Sequence, residues 1–184
     1  MQDRYVFIML GFLGSGKSYV SRWLSLHMRA VYLRVDDLRL TMFGSDRPEL
    51  YTPHNKTLVN NASRYAMLQI LKSGQANVVH DGNHNARALR NDIAEEAGRY
   101  GVTAIVVWVQ TPLTISKQRT EVRKVTEGHD LFEPGLVEKM AKRLEVPDKD
   151  ELVITLNGQV PTAEQQKSFE EQFAAIKANL RAHR

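Results

Sequence analysis

Tyr5-Val6-Phe7-Ile8-Met9-Leu10-Gly11-Phe12-Leu13-Gly14-Ser15-Gly16-Lys17-Ser18 is an apolar run that breaks into glycines and closes on a lysine and a serine. Its first six residues read as a strand buried on both faces. Beyond the turn, Val20, Trp23, Leu24 and His27 recur at helical spacing, which predicts a helix from about Lys17 to His27. The pattern Gly-x-x-x-x-Gly-Lys-Ser carries chemical meaning only between a strand and a helix, and both flank it here. Gly11, Gly14 and Gly16, with Ser15 among them, let the backbone wrap round an anion and aim its amides and the helix N-terminus at it. Lys17 adds a mobile full charge for the β and γ phosphates of a nucleotide. The Ser18 hydroxyl suits one position on a Mg²⁺ bridging those phosphates. The expected ligand is ATP with Mg²⁺. Asn55-Lys56-Thr57-Leu58 begins like a guanine-recognition motif but has Leu where Asp is required, so a GTPase is disfavoured.

Outward from this stretch, short β-branched runs alternate with helically spaced ones, the pattern of an α/β protein with a parallel sheet. Five strands are expected, at Tyr5 to Leu10, Val31 to Val35, Asn77 to His80, Thr103 to Val109 and Leu152 to Thr155. A closing helix follows Pro161-Thr162, with Phe169, Phe173, Ile176 and Leu180 at steps of three and four. Phe43 to Asn55 and Thr126 to Gly135 carry Gly and Pro and read as loops, both candidates for substrate gates.

The chain has 184 residues, 42% of them hydrophobic, enough for one buried core, and residues 1–184 are read as one domain. A net charge of +4 suits a polyanionic partner, which includes nucleic acid, but an ATP site would give the same balance. The absence of cysteine rules out a disulfide framework and a thiolate zinc site, and a cytoplasmic address is expected. Arg4 followed by Tyr5 to Leu13 imitates a secretory signal, but no Ala-x-Ala cleavage site follows. No apolar run approaches the roughly 20 residues of a membrane span.

Downstream acids and arginines suggest more than binding. Asp36 and Asp37, with Arg39, follow the second strand, at the sheet edge where α/β proteins bind ligands. Asp36 there could take the proton of an attacking hydroxyl, while the alternative is that either acid caps the next helix. Asp81 closes the third strand and suits the outer sphere of Mg²⁺. His80 and His84 lie four apart, but Gly82 and the preceding strand spoil a helical zinc geometry. A helical stretch from Thr111 to Lys124 carries Lys117, Arg119, Arg123 and Lys124, which are either lid cations that stabilise a transferring phosphoryl group or a solvated basic face.

With these motifs in view, the chain resembles the small P-loop kinases related to the kinase domain of polynucleotide 5′-kinase, AAA-type proteins, over most of its length. The motifs that carry the resemblance are the glycine-rich loop, Asp36-Asp37-Leu38-Arg39 and Asp81-Gly82-Asn83-His84-Asn85. Phe132-Glu133-Pro134 and Arg143-Leu144-Glu145-Val146-Pro147 are similar to segments of that group as well. The resemblance implies a three-layer fold with a mobile helical lid around 111–135 and a kinase acting on a hydroxyl. It further implies Asp36 as general base, Arg39 on substrate phosphate, Asp81 and Asn83 beside the nucleotide, and Arg119 or Arg123 as the lid arginine. Gly82 and His84 depart from the family pattern around Asn83, where Thr is usual. The acceptor is therefore open between a polynucleotide 5′-hydroxyl and a small-molecule hydroxyl of sugar, antibiotic or nucleoside type. Two other readings stand beside the kinase: a regulatory ATPase without an acceptor, and a nucleic-acid-binding module. The second lacks the aromatic residues interleaved with basic ones that a stacking groove needs.

Overall fold

The structure is a computed structural model that describes residues 3–45, 47–74, 76–127 and 135–182. Five parallel strands form one sheet in the order β2-β3-β1-β4-β5: β1 Tyr5–Leu10, β2 Ala30–Arg34, β3 Asn77–Asp81, β4 Thr103–Gln110 and β5 Val153–Asn157. The expected α/β fold with a five-stranded parallel sheet flanked by helices is the fold observed. β1 lies at the centre, with Ile8 opposite His80 of β3 and Val106 of β4, and all six of its residues are buried. That position is why its sequence is uninterrupted hydrophobic: it has a partner on both edges and helices on both faces.

Alternation along the strands sorts the core into two halves. Phe7 and Met9, with Ile105, Val107, Ile154 and Leu156, face α1 (Lys17–His27) and α7 (Thr162–Ala182), which contribute Val20, Leu24, Phe169 and Phe173. Val6, Ile8 and Val78 face α3 (Pro53–Ser73) and α4 (Arg87–Gly98), which contribute Met67, Leu71, Ile93 and Ala97. The same alternation puts His80 on the α3 side of β3, where its Nε2 meets Ser63 Oγ at 2.6 Å. It turns Asp81 to the other side, where the carboxylate accepts a 2.8 Å hydrogen bond from Tyr32.

The remaining helices are α2 (Val35–Phe43), α5 (Leu113–Glu127) and α6 (Leu136–Lys142). Three local expectations are corrected. Phe43 to Asn55 is not a continuous loop: a 3₁₀ turn spans Pro48–Leu50, and α3 begins at Pro53 with Thr52 Oγ1 accepting from the Asn55 amide at 3.1 Å. Proline suits that first helical position because its missing N–H would have no partner there anyway. The helix expected at Thr111 to Lys124 runs instead from Leu113 to Glu127, so Thr126 is helical and not in a loop. The rest of that loop, residues 128–134, lies outside the described residues, as do Phe132-Glu133-Pro134. No described helix is long and apolar enough to cross a membrane.

Candidate functional site

All five strand exits meet at one edge of the sheet. The turn after β1 passes Gly11 to Gly16, with Gly14 at φ 77° and Gly16 at φ 98°, left-handed values that a side chain would resist. Gly14 is packed against the Ser116 carbonyl of α5, so that a methyl group there would overlap it. Neighbouring exits clamp the turn from outside. Thr111, after β4, donates from its hydroxyl to the Ser15 carbonyl at 2.8 Å, and the Gly158 amide, after β5, donates to the Gln110 carbonyl at 2.7 Å. Gly158 packs so closely on Thr111 and Ser15 that a side chain there has no room. A Cβ added to Gly16, by contrast, would meet only the tip of Arg119, so the cradle is open on the side a ligand would use.

Gly16 is the N-cap of α1, and the first amides of that helix have no intrahelical partner by geometry. Lys17 reaches back along the loop, with Nζ donating to the Phe12 carbonyl at 3.1 Å. Burial lowers its pKa, while the Asp81 and Asp36 carboxylates pull the other way. Ser15 is fully buried with its hydroxyl unpartnered, and Ser18 is half-buried on the first turn. The hard oxygens of Ser18 and Asp81 fit Mg²⁺, and phosphate oxygens would have to complete its shell. Among the described residues no group of three or more His, Asp or Glu could hold a metal by itself.

Asp36 and Asp37 lie in the first turn of α2 with side chains 65% exposed. Neither caps the helix: the N-cap is Arg34, and no side-chain cap bond forms. Arg34 instead braces both acids, at 2.8 Å to Asp37 and 3.7 Å to Asp36. One turn on, Arg39 is 6% exposed, its guanidinium 4.4 Å from the centre of the Tyr51 ring, and its Nε and Nη1 have no hydrogen-bond partner. A buried cation with two unmet donors is ready for an anion.

The arginines of α5 separate. Arg119 donates to the Gly158 carbonyl at 3.0 Å and borders a cavity of about 570 Å³ with Gly16, Tyr19, Gln159, Pro161 and Gln165. Arg123 is half-buried, and Lys117 pairs with Glu138 of α6 at 2.5 Å. Sequence reasoning missed the Gly158–Gln165 wall of this cavity. Its signal was present: Asn157-Gly158 and Pro161 punctuate the exit of the last strand, at the edge where such sheets bind ligands.

Asn83 faces elsewhere. It lines a second cavity, of about 230 Å³, on the α3 side of β3, with Val35, Asn60, Asn61, His80 and His84. His84 Nδ1 lies 3.0 Å from the Met9 carbonyl, which makes it the donor, and its ring is 4.7 Å from that of His80. Burial lowers the pKa of His84 to about 4 and pushes that of His80 well below its usual value, so both rings are neutral.

The sequence profile of a family described as AAA domain matches residues 6–147. No curated protein sequence matches the chain. Among solved structures, the chain is similar to a gluconokinase from Sinorhizobium meliloti 1021 (TM-score 0.68, 20% identity, 98% of this chain and 97% of that one). It is also similar to Chaetomium thermophilum Kti12 in complex with ADP-AlF3 (0.70, 17%, 93% and 98%) and to shikimate kinase from Acinetobacter baumannii in complex with shikimate (0.62, 19%, 97% and 95%). At these identities the likeness is one of fold, that of the P-loop kinases.

Proposed function

The chain belongs to the AAA-domain family, and on that premise we propose that it is a Mg²⁺-ATP-dependent kinase that transfers the γ-phosphoryl group to an acceptor hydroxyl. The observation that supports this is the setting of Lys17 on the phosphate loop, where Asp81 and Asp36, which follow different strand exits, both raise its pKa against the lowering by burial. In this reading the second acid, Asp36, exposed in the first turn of α2, acts as the base.

In this reading Gly11, Gly14, Ser15, Gly16 and Lys17 hold the triphosphate, and the 570 Å³ cavity beside Arg119 and Tyr19 takes the base and sugar. The Kti12 structure, which holds ADP-AlF3 in a similar fold, supports a nucleotide as the ligand of this fold. Mg²⁺, when bound through Ser18 and by way of Asp81, supplies charge for the phosphates. Asp36 removes the acceptor proton as the acceptor oxygen bonds to the γ-phosphorus and the bond from that phosphorus to the bridging oxygen of ADP breaks. Lys17, with Arg119 and Arg123 of α5, the described part of the lid expected around 111–135, neutralises the charge that leaves with ADP. Residues 1–184 act as one domain in this scheme.

Two acceptors have support. For a polynucleotide 5′-hydroxyl there is the Asp36-Asp37-Leu38-Arg39 motif and the unmet donors of Arg39, which would hold the adjoining phosphate. For a small molecule there is the 230 Å³ cavity lined by Val35, the residue before Asp36. Transfer of label from γ-labelled ATP to a panel of oligonucleotides and small hydroxyl compounds tests the kinase reading. Asp36→Asn is expected to lower kcat by roughly 10²- to 10⁴-fold with little change in the KM for ATP. Phosphate release that needs no acceptor and is indifferent to Asp36→Asn would replace the kinase with an ATPase.

A further inference from the structure

We propose that the cavity enclosed by α2, α3 and α4 binds the acceptor by an uncharged, hydroxyl-rich head of the sugar or polyol class. The inference rests on the kinase reading and names the substrate class of that site. Position comes first. Val35, which lines the cavity, precedes Asp36 in the chain, and beside it, across Gly82, His84 is near enough to Lys17 and Asp81 to feel both charges. The cavity thus opens one residue along α2 from the proposed base, and His84 ties its wall to Met9, just before the phosphate loop.

The walls then select the chemistry. Asn60, Asn61 and Asn83 line the space, and their side chains make no hydrogen bond among the described residues. A carboxamide offers donors and an acceptor together, and a hydroxyl group is the ligand that uses both. His80 is 3% exposed with its Nδ1 unpartnered, a buried polar atom on the cavity wall that lacks a partner. His84 spends its Nδ1 proton on the Met9 carbonyl, which leaves Nε2 as an acceptor only. Val35, Leu89 and Ile93 supply apolar surface for the C–H faces of a ring or carbon chain.

Charge argues against an anion. Among the described residues the one cation lining the cavity, Arg64, is already held by Glu96 at 2.5 Å and Asp92 at 3.5 Å, so a carboxylate or phosphate would lose its water without gaining a free counter-charge. Among the described residues no Phe, Tyr or Trp lines the space, so a nucleobase would lack the stacking platform it usually takes. Size agrees, because about 230 Å³ is below the roughly 300–1,000 Å³ of sites for drug-sized ligands and suits one small head group.

Calorimetric titration of the full chain, without nucleotide, against uncharged aldoses and alditols, their carboxylate and phosphate derivatives, and a 5′-hydroxyl oligonucleotide tests the cavity. The expected result is binding of an uncharged compound that weakens by about tenfold or more in the Asn60→Ala/Asn61→Ala variant, with affinity for Mg²⁺-ADP unchanged. Both positions are exposed on α3, so the variant is expected to fold, and an unaltered thermal midpoint confirms that. Binding restricted to anions or to the oligonucleotide, or an affinity within twofold of wild type in the variant, overturns the proposal. The kinase reading fails separately: an uncharged ligand that binds but takes no label from γ-labelled ATP leaves the cavity assigned and removes the kinase. Labelling of an anionic acceptor alone does the reverse.

Discussion

At Gly14 the backbone takes φ 77°, and any Cβ would run into the Ser116 carbonyl and the Thr120 hydroxyl of α5. Gly14→Ala therefore meets both a conformational cost and a clash with backbone. The expected loss is about 2–3 kcal/mol of stability in urea unfolding, accompanied by weaker nucleotide binding. A variant as stable as wild type would show that the turn can open away from α5. Single residues also mark where sequence reading stops. Lys17, Asp36 and Asp81 were legible because spacing along a βαβ pattern fixes which strand exit each one follows. The burial of Arg39 under Tyr51 was not, since the two residues are joined across the 3₁₀ turn at Pro48–Leu50, and local pattern carries no sign of that contact. Asn83 shows the same limit. Its position after β3 could be read, but which side of the strand it served depended on the turn at Gly82.

At the level of elements, α4 is pinned to the segment before β5 by a buried ion pair. Arg90, with no exposed side-chain surface, donates to both oxygens of Glu151 at 2.6 and 3.0 Å and to the carbonyls of His84 and Asn85. Arg90→Met strands Glu151 and those carbonyls, so unfolding free energy should fall by about 3–5 kcal/mol, and Arg90→Met/Glu151→Leu should recover part of the loss. If the single variant unfolds within about 1 kcal/mol of wild type, the pair is not the tie described. Whole elements were the most readable part of the fold. β1 and α1 agree with expectation to the residue, because an all-apolar strand and a glycine turn leave little latitude. Proline is ambiguous at the start of α3, where Pro48 and Pro53 both read as loop formers in the sequence. The Thr52-Pro53 pair is equally a helix start, and only the apolar positions Val59, Met67 and Leu71 further on distinguish the two.

Across the whole molecule, two buried histidines couple stability to acid. His84 has a folded-state pKa of about 4 against an ordinary 6.5, so between those values the unfolded chain binds more protons than the folded one. Its contribution is intact above about pH 6.5 and is lost as pH falls towards 4. Between pH 7.5 and 5.0 the loss should be about 2 kcal/mol, and His80 acts in the same direction. Urea unfolding at the two pH values should show a smaller drop for His84→Gln than for wild type, and equal drops would exclude His84 as the cause. The central place of β1 has a consequence for synthesis. Val6 pairs with Val78 and with Ala104, so the strand leaves the ribosome long before either neighbour exists. At roughly 5–20 residues per second the wait is on the order of ten seconds. For that time Tyr5–Leu10, uncharged and strongly β-forming, is a nascent segment able to pair with its counterpart on an adjacent growing chain. Yield of folded protein should therefore depend on whatever shields those six residues until β3 and β4 arrive.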